Sequence, residues 1–188
     1  MQTFKVAILV GSLRKESFTR KISKALIKLA PENLSCAIVE IGDLPLYNED
    51  LESDAPAPWT AFRAAIREVD AVLFATPEYN RSIPGALKNA IDVGARPYGK
   101  NVFDGKAGAV VSVSPGAIGG LGANFAVRNA LVFLNVLTMQ QPEAYIGGVK
   151  NLLDEKGELS AEATRAFLSN FMKAFADWTS LIAGRTRR

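Results

Sequence analysis

The chain has 188 residues, of which 48% are hydrophobic and 22% charged, a composition typical of a folded globular protein. This length suffices to bury a hydrophobic core without disulfides or metals, so we expect residues 1–188 to form a single domain. The single cysteine, Cys36, excludes an intramolecular disulfide, and the absence of histidine excludes imidazole-dependent catalysis and His-ligated metals.

The net charge of +3 and the isoelectric point of about 9.0 reflect an uneven distribution of charged residues. Residues 1–30 carry seven basic side chains and one acidic side chain, whereas residues 31–70 carry nine acidic and two basic ones. Positive charge around one helix can raise the local concentration of a phosphorylated ligand. No nucleic-acid-binding motif, signal segment or long apolar run accompanies it, so we expect a cytoplasmic protein that binds neither nucleic acid nor membrane.

Short apolar runs rich in β-branched residues alternate along the chain with longer segments of 3.6-residue periodicity. The first pattern predicts strands and the second predicts helices. In the last helix the apolar stripe predicts a buried face of Phe167, Phe171, Phe175, Trp178 and Ile182. In chain order the predictions are strand Phe4–Val10, helix Ser17–Ala30, strand Cys36–Ile41, helix Pro58–Val69, strand Ala71–Thr76, helix Pro84–Gly94, strand Ala109–Val113, helix Ala123–Asn135, a weaker strand near Leu137–Gln141, and helix Ser160–Ile182.

Regular alternation of strands and helices predicts an α/β fold, a three-layer sandwich with a five-stranded parallel sheet. Five strands favour the flavodoxin-like order 2-1-3-4-5 over the six-stranded dinucleotide-binding fold. Ligands of such sheets bind beyond the carboxyl ends of the strands, where the strand order reverses. The loops after Val10, Thr76 and Val113 are therefore the candidate binding region.

The first of these loops combines hydroxyl groups with a helix N-terminus. It offers Ser12, Ser17 and Thr19, together with the guanidinium of Arg14. Hydroxyls, backbone amides and the helix dipole favour a phosphate group, and arginine pairs with it directly. The segment matches neither the Walker A nor the G-x-G-x-x-G pattern, so a single terminal phosphate is the expected ligand; the simpler interpretation is that Ser17 only caps the helix.

The second and third loops are typical of a site for a flat ring. Thr76 ends the third strand where a phosphoryl-accepting receiver domain needs an aspartate, and Tyr79 lies in the loop that follows. The third loop, residues 112–122, holds four glycines, which let the backbone approach a ligand closely. We expect a heteroaromatic ring between these loops, and we expect Cys36 to be a packing residue rather than a nucleophile.

Several motifs together resemble the NAD(P)H-dependent FMN reductase family, particularly its bacterial quinone and chromate reductases. The likeness covers roughly residues 4–150. The family usually has Asn at the position of Thr19 and commonly a Trp at the position of Val93. We expect the presence of Val93 in place of Trp to open the substrate side of the pocket or to alter an interface. The motifs are Gly-Ser-Leu-Arg-Lys-x-Ser at 11–17, Pro-Glu-Tyr-Asn at 77–80, Ser-Ile-Pro-Gly-Ala-Leu-Lys-Asn-Ala-Ile-Asp at 82–92 and Ser-Pro-Gly-Ala-Ile-Gly-Gly at 114–120.

The resemblance implies bound FMN, reduction by NAD(P)H, and ping-pong transfer of electrons to a small-molecule acceptor such as a quinone, flavin, azo dye or chromate. It also implies a homodimer or homotetramer with the third and fourth helices at the interfaces. The flavin carries the chemistry, so no catalytic side chain is expected. The residues that the family pattern assigns to FMN are Ser12, Arg14, Ser17, Phe18 and Thr19 from the first loop, Pro77, Glu78, Tyr79 and Asn80 from the second, and Ser114 and Gly116 from the third.

Two alternatives stay open from the sequence. One is a flavodoxin-like FMN-binding electron carrier without NAD(P)H oxidation, which the basic isoelectric point argues against because such carriers are expected to be acidic. The other is a flavin-free nucleotide-processing enzyme of the same topology. It would need a catalytic carboxylate in the pocket, and Glu78 is the obvious candidate for that role.

Overall fold

A parallel β-sheet forms the centre of the computed structural model, which describes residues 2–185. The strand order is β2-β1-β3-β4-β5, with β6 also paired to β4, and all pairings are parallel. The α/β class and the flavodoxin-like order 2-1-3-4-5 are therefore confirmed. The strands are β1 (Phe4–Val10), β2 (Leu34–Val39), β3 (Ala71–Thr76), β4 (Ala107–Val113), β5 (Leu137–Thr138) and β6 (Ala144–Ile146).

Five α-helices cover the two faces of the sheet. The buried side chains of α1 and α5 pack in one apolar cluster with Val6 and Ile8, while those of α2, α3 and α4 pack in the other with Ala7 and Leu9. Alternate residues of β1 thus point into opposite cores, as the pleat of a strand requires. No helix in residues 2–185 has the length and apolar content to cross a bilayer. The helices are α1 (Phe18–Leu29), α2 (Ala57–Arg67), α3 (Gly85–Ala95), α4 (Leu121–Phe133) and α5 (Glu162–Arg185), with short 3-10 helices at Glu49–Asp54 and Val149–Leu152.

The predicted element boundaries differ from the structure by up to a few residues. β1 and β3 match the prediction, while β2 begins and ends two residues earlier than expected and β4 begins two residues earlier. The predicted buried face of α5 is only partly confirmed: Phe171, Phe175 and Ile182 are buried, whereas Phe167 and Trp178 are half-buried. The apolar pattern thus predicts which segments form elements better than it predicts where they end.

The last strand position is shared by two short strands, in place of the one predicted near Leu137–Gln141. β5 pairs with Ala107 and Gly108, and β6 pairs further along β4 with Val111–Val113. Pro142 lies between them and has no amide to donate to a sheet. The side-chain amide of Asn124 on α4 donates to the carbonyl of Ala144 at 3.3 Å. A side chain therefore supplies a hydrogen bond at the start of β6, next to the interruption between β5 and β6.

Asn89, within the Lys-Asn-Ala-Ile-Asp motif of α3, fastens the loop that follows β2. Its Oδ1 accepts from the amide of Tyr47 at 2.8 Å, and its Nδ2 donates to the carbonyls of Leu44 and Pro45 at 3.2 and 3.0 Å. Asn89 is buried, so its removal leaves the amide of Tyr47 and the carbonyl of Leu44 without these bonds, while the carbonyl of Pro45 still accepts Nε1 of Trp59 at 2.9 Å. The asparagine of this motif therefore has a structural role here.

We expect Asn89→Ala to lower the free energy of unfolding by about 2–4 kcal/mol, since three hydrogen bonds are lost and buried polar groups become unsatisfied. Denaturant unfolding followed by circular dichroism measures this change. Asn170→Ala on the exposed face of α5 is the matched control and should change the stability by less than about 0.5 kcal/mol. Equal stabilities of the two variants would contradict the assignment.

Candidate functional site

Three loops meet at the carboxyl ends of β1, β3 and β4 and enclose a cleft of about 210 Å³. This is the region where the strand order reverses, as the sequence predicts. Eight of the eleven predicted site residues line the cleft; Ser17, Asn80 and Gly116 do not. The lining consists of Ser12, Arg14, Phe18, Thr19, Pro77, Glu78, Tyr79, Val113, Ser114 and Pro115.

The loop between β1 and α1 presents free hydroxyl groups to the cleft. Ser12 and Thr19 are buried, and within residues 2–185 neither hydroxyl has a hydrogen-bond partner. Ser17 is the N-cap of α1, and its Oγ accepts the amide of Arg20 at 3.1 Å. Capping thus occupies one lone pair of Ser17, while its hydroxyl proton is still available to an acceptor. No acidic residue lies in the first turn of α1, so an anion there meets only the positive end of the helix dipole.

Most of the basic residues on α1 are paired with acids, unlike those of the preceding loop. Arg20 donates to both carboxylate oxygens of Glu40 at 2.7 and 2.6 Å, which lowers the pKa of that glutamate. The hydrogen bond from Lys21 likewise lowers the pKa of Glu16. In the part of the chain that the structure describes, Arg14 and Lys15 form no ion pair. The loop therefore keeps a net positive charge beside the cleft, since Glu16 is its one acidic residue.

The loop after β3 turns sharply at the mouth of the cleft. Tyr79 and Ser82 exchange backbone hydrogen bonds of 3.2 and 3.0 Å, and the two residues between them have positive φ values, 51° for Asn80 and 63° for Arg81. Positive φ at both central residues is the signature of a type I′ hairpin turn. The turn places the partly exposed ring of Tyr79 on the cleft wall and directs Asn80 to solvent.

The side chain of Glu78 does not end free in the cleft. Its Oε2 accepts the backbone amide of Ala123 in the first turn of α4 at 3.0 Å, and its Oε1 lies 3.8 Å from Nη1 of Arg81. Helix α4 has Gly120 as its N-cap, which supplies no side-chain acceptor of its own. A contact across 45 residues leaves no periodic signal in the sequence, so sequence reasoning did not identify this cap.

The glycine-rich loop after β4 packs tightly on the backbone of β6 and of Gly147, which follows it. A Cβ at Gly119, whose φ is 68°, would lie 2.6 Å from the carbonyl carbon of Tyr145. Ser114 lines the cleft and its Oγ accepts the amide of Gly116 at 3.1 Å, while Gly116 itself is exposed outside the lining. Val113 and Pro115 line the cleft although they were not predicted; their position beside Ser114 was the available signal.

Val93 is fully buried in the core formed with α2 and α3 and does not line the cleft. The expectation that it opens the substrate side of the pocket is therefore wrong. The neighbouring Gly94 leaves no room for a larger residue, because an added Cβ would lie 2.7 Å from Cζ of Phe103. Cys36 is half-buried on β2, where burial raises the pKa of its thiol to about 11, as suits a packing residue rather than a nucleophile.

The arrangement can hold a phosphorylated aromatic molecule. Two unpartnered hydroxyls, a helix N-terminus and an arginine suit a phosphate, and the opposite walls carry an aromatic ring and close-packed backbone. Within residues 2–185 there is no cluster of histidine, cysteine or carboxylate side chains with the geometry of a metal site.

Comparison with known proteins agrees with this geometry. Residues 4–151 match the family of the NADPH-dependent FMN reductases. The chain is 61% identical over 181 residues to a quinone reductase of Pseudomonas putida, covering 96% of this chain and 97% of the relative. It is 44% identical over 174 residues to a 2-hydroxy-1,4-benzoquinone reductase of Burkholderia sp, covering 93% of this chain and 95% of the relative.

Among solved structures, FerB, a flavoenzyme NAD(P)H:(acceptor) oxidoreductase from Paracoccus denitrificans, superposes with a TM-score of 0.89 at 45% sequence identity. The match covers 95% of this chain and 98% of that one. The family expected from the sequence, its FMN cofactor and the enzyme class are thereby confirmed, and the electron-carrier and flavin-free alternatives are not supported. The chain belongs to the NADPH-dependent FMN reductase family and is an FMN-dependent oxidoreductase.

Proposed function

We propose that this enzyme uses NAD(P)H to reduce quinones, with FMN bound in the cleft at the ends of β1, β3 and β4. The observation that carries the placement is that Ser12 and Thr19, near the N-terminus of α1, line the cleft with hydroxyls that have no hydrogen-bond partner within the described residues. Two hydroxyl donors that line a cleft without a protein partner are available to a ligand with acceptor oxygens. The quinone and benzoquinone reductases among the relatives support the acceptor class.

The phosphate of FMN fits the first loop. Ser12 and Thr19 would donate to its oxygens, Ser17 would add its remaining proton, and Arg14 would supply charge. Thr19 replaces the Asn usual in the family, and its hydroxyl keeps a donor at that position. Phe18 would contribute apolar surface at the same end of the cleft. The basic surroundings favour the dianion, since neither Arg14 nor Lys15 forms an ion pair within the described residues.

The ring would lie between the second and third loops. Pro77, Tyr79 and Ser114 line this part of the cleft, and the peptide groups of Asn80 and Gly116 lie in the same two loops. When bound there, FMN would supply the chemistry of hydride acceptance and onward electron transfer. The protein's part is to orient the ring, shield one face and leave the other accessible to the reductant and then to the acceptor. Such shared access predicts ping-pong kinetics, with quinones, flavins, azo dyes and chromate as candidate acceptors.

We also propose that the enzyme is a homodimer or homotetramer in the cytoplasm, with α3 and α4 at the interfaces. Large apolar side chains on and near α4 are exposed, among them Tyr98 at 85%, Val132 at 78% and Phe133 at 82%. Exposed apolar residues grouped in this way are typical of a protein–protein contact. Light scattering on the purified protein measures the oligomeric state directly.

Anaerobic mixing of the FMN-loaded protein with NADPH or NADH tests the proposed reaction. We expect prompt loss of the yellow flavin absorbance, followed by its recovery on addition of a quinone. Initial rates should give parallel double-reciprocal plots, because the reductant leaves before the acceptor binds. Persistent yellow colour with both nucleotides, or intersecting plots, would contradict the proposal.

Arg14→Ala is expected to weaken FMN binding by about tenfold, since an exposed charge-assisted contact to the phosphate is lost. Quenching of FMN fluorescence on binding gives the dissociation constant. Arg67→Ala is the matched control, because Arg67 is an exposed arginine at the end of α2 that does not line the cleft. An Arg14→Ala variant with wild-type affinity would remove Arg14 from the phosphate site.

A further inference from the structure

The carboxylate of Glu78 joins two parts of the chain that form opposite walls of the cleft. Glu78 belongs to the loop after β3, which carries Tyr79. Its Oε2 accepts the amide of Ala123, and Ala123 lies in the first turn of α4, directly after the loop that carries Ser114. This bond links residues 45 positions apart. The N-cap of α4 is Gly120, which has no side chain that could accept the amide instead.

The backbone of α4 is in close contact with the turn that Glu78 holds. A Cβ at Gly122 would lie 2.8 Å from the carbonyl oxygen of Arg81 and 3.0 Å from Oε2 of Glu78. The turn therefore packs directly on the backbone of α4, with no side chain between the turn and the helix at Gly122. Within this contact the side chain of Glu78 is 17% exposed, so its carboxylate is mostly shielded from solvent.

The turn itself has few other anchors. It is closed by the backbone bonds between Tyr79 and Ser82, and both central residues have positive φ. Its two central side chains, Asn80 and Arg81, are exposed. Glu78 is the side chain that fixes the turn relative to α4, and hence the distance between Tyr79 and the third loop.

We propose that Glu78 is a positioning residue: its carboxylate ties the Tyr79 turn to the N-terminus of α4 and so sets the separation of the walls that hold the flavin. This role rests on the placement of FMN in this cleft. It differs from the acid–base role that Glu78 would have in a flavin-free enzyme. The carboxylate accepts a backbone amide of α4 and lies 3.8 Å from the guanidinium of Arg81, so the positioning role requires no proton transfer by Glu78.

Glu78→Gln and Glu78→Ala separate the two roles. Glutamine keeps an oxygen that can accept the Ala123 amide, so we expect FMN affinity within about threefold of wild type and an unchanged flavin spectrum. Alanine removes the acceptor, so we expect FMN affinity to fall by about tenfold or more, with a shifted visible spectrum of the bound flavin. An essential acid or base would give the opposite result: Glu78→Gln would abolish turnover and remove one limb of the pH–rate profile while FMN affinity stayed intact.

Matched controls and a second variant keep the test decisive. Glu40→Gln and Glu40→Ala disrupt the ion pair with Arg20, which does not line the cleft, and should leave FMN affinity and spectrum unchanged. If Glu78→Ala does not fold, Gly122→Ala replaces it, because the added methyl group would push the turn away from α4 and should weaken FMN binding in the same way. Wild-type FMN affinity and spectrum in the alanine variants would overturn the positioning role.

The proposal and the placement of FMN can fail separately. If FMN affinity depends on Ser12 and Thr19 but not on Glu78, the cofactor site stands and the positioning role is wrong. If FMN affinity depends on neither, the placement of the flavin in this cleft is wrong, and the positioning role falls with it.

Discussion

Replacing Gly147 with alanine should destabilise the protein by about 3 kcal/mol and impair FMN binding, the largest effect expected from a single added methyl group. Gly147 follows β6 and packs against the glycine-rich loop. A Cβ there would overlap the carbonyl oxygen of Ala117 and would lie 2.8 Å from its carbonyl carbon and 3.0 Å from the carbonyl oxygen of Gly116. These neighbours are all backbone atoms, so no side-chain rotation can relieve the contact. The loop would have to move, and with it the wall of the cleft formed by Ser114 and Pro115.

Thermal and denaturant unfolding, with FMN affinity measured on the same samples, checks this expectation. Gly184→Ala is the matched control, since a Cβ at this position in the last turn of α5 meets nothing within 4 Å and its φ is not positive. We expect the control to keep wild-type stability or gain up to about 1 kcal/mol, because alanine loses less backbone entropy on folding. Similar behaviour of the two variants would show that the loop is not packed as described.

The double substitution Ser12→Ala/Thr19→Val should weaken FMN binding by about a hundredfold or more. It removes two donors that line the cleft, and hydrogen bonds to a charged group contribute roughly 1.5–3 kcal/mol each. Valine closely matches threonine in volume, and alanine is smaller than serine, so neither change introduces crowding. Since neither hydroxyl has a partner within residues 2–185, their loss should leave the stability of the FMN-free protein nearly unchanged.

Fluorescence titration with FMN measures the affinity, and unfolding without FMN measures stability. Thr179→Val is the matched control: its buried hydroxyl donates to the carbonyl of Phe175 at 2.8 Å in α5 and does not line the cleft. The control should lose stability but keep FMN affinity, the reverse of the double variant. A double variant that binds FMN normally would place the phosphate elsewhere.

Local patterns were enough to predict the elements that lie at the centre of the sheet. β1 and β3 are buried along most of their length, so their apolar runs coincide with the strands. The split between β5 and β6 was not predictable in this way, because it depends on where β4 offers pairing partners and on the amide of Asn124 from another helix. Long-range hydrogen bonds of this kind leave no periodic pattern in the sequence from which they could be predicted.

In the candidate site, likewise, the location of the loops was predictable from the sequence, whereas the contacts of individual side chains were not. The three loops were identified because strand order determines which ends of a parallel sheet adjoin, and eight of the eleven predicted residues line the cleft. The use of individual side chains within these loops depends on three-dimensional contacts. Examples are the acceptor role of Glu78 toward α4 and the direction of Asn80, which the positive φ values of the turn send to solvent. The assignment of these residues to FMN stays a prediction.

The ratio of riboflavin to FMN dissociation constants tests most directly whether the loop after β1 holds the flavin phosphate. The two ligands differ only in that phosphate, so the ratio isolates its contribution to binding. We predict that wild-type protein binds FMN at least about a hundredfold more tightly than riboflavin, and that Ser12→Ala/Thr19→Val loses most of this preference without weaker riboflavin binding. Equal affinity of the wild-type protein for both ligands, or a ratio that the double variant leaves unchanged, would contradict the account.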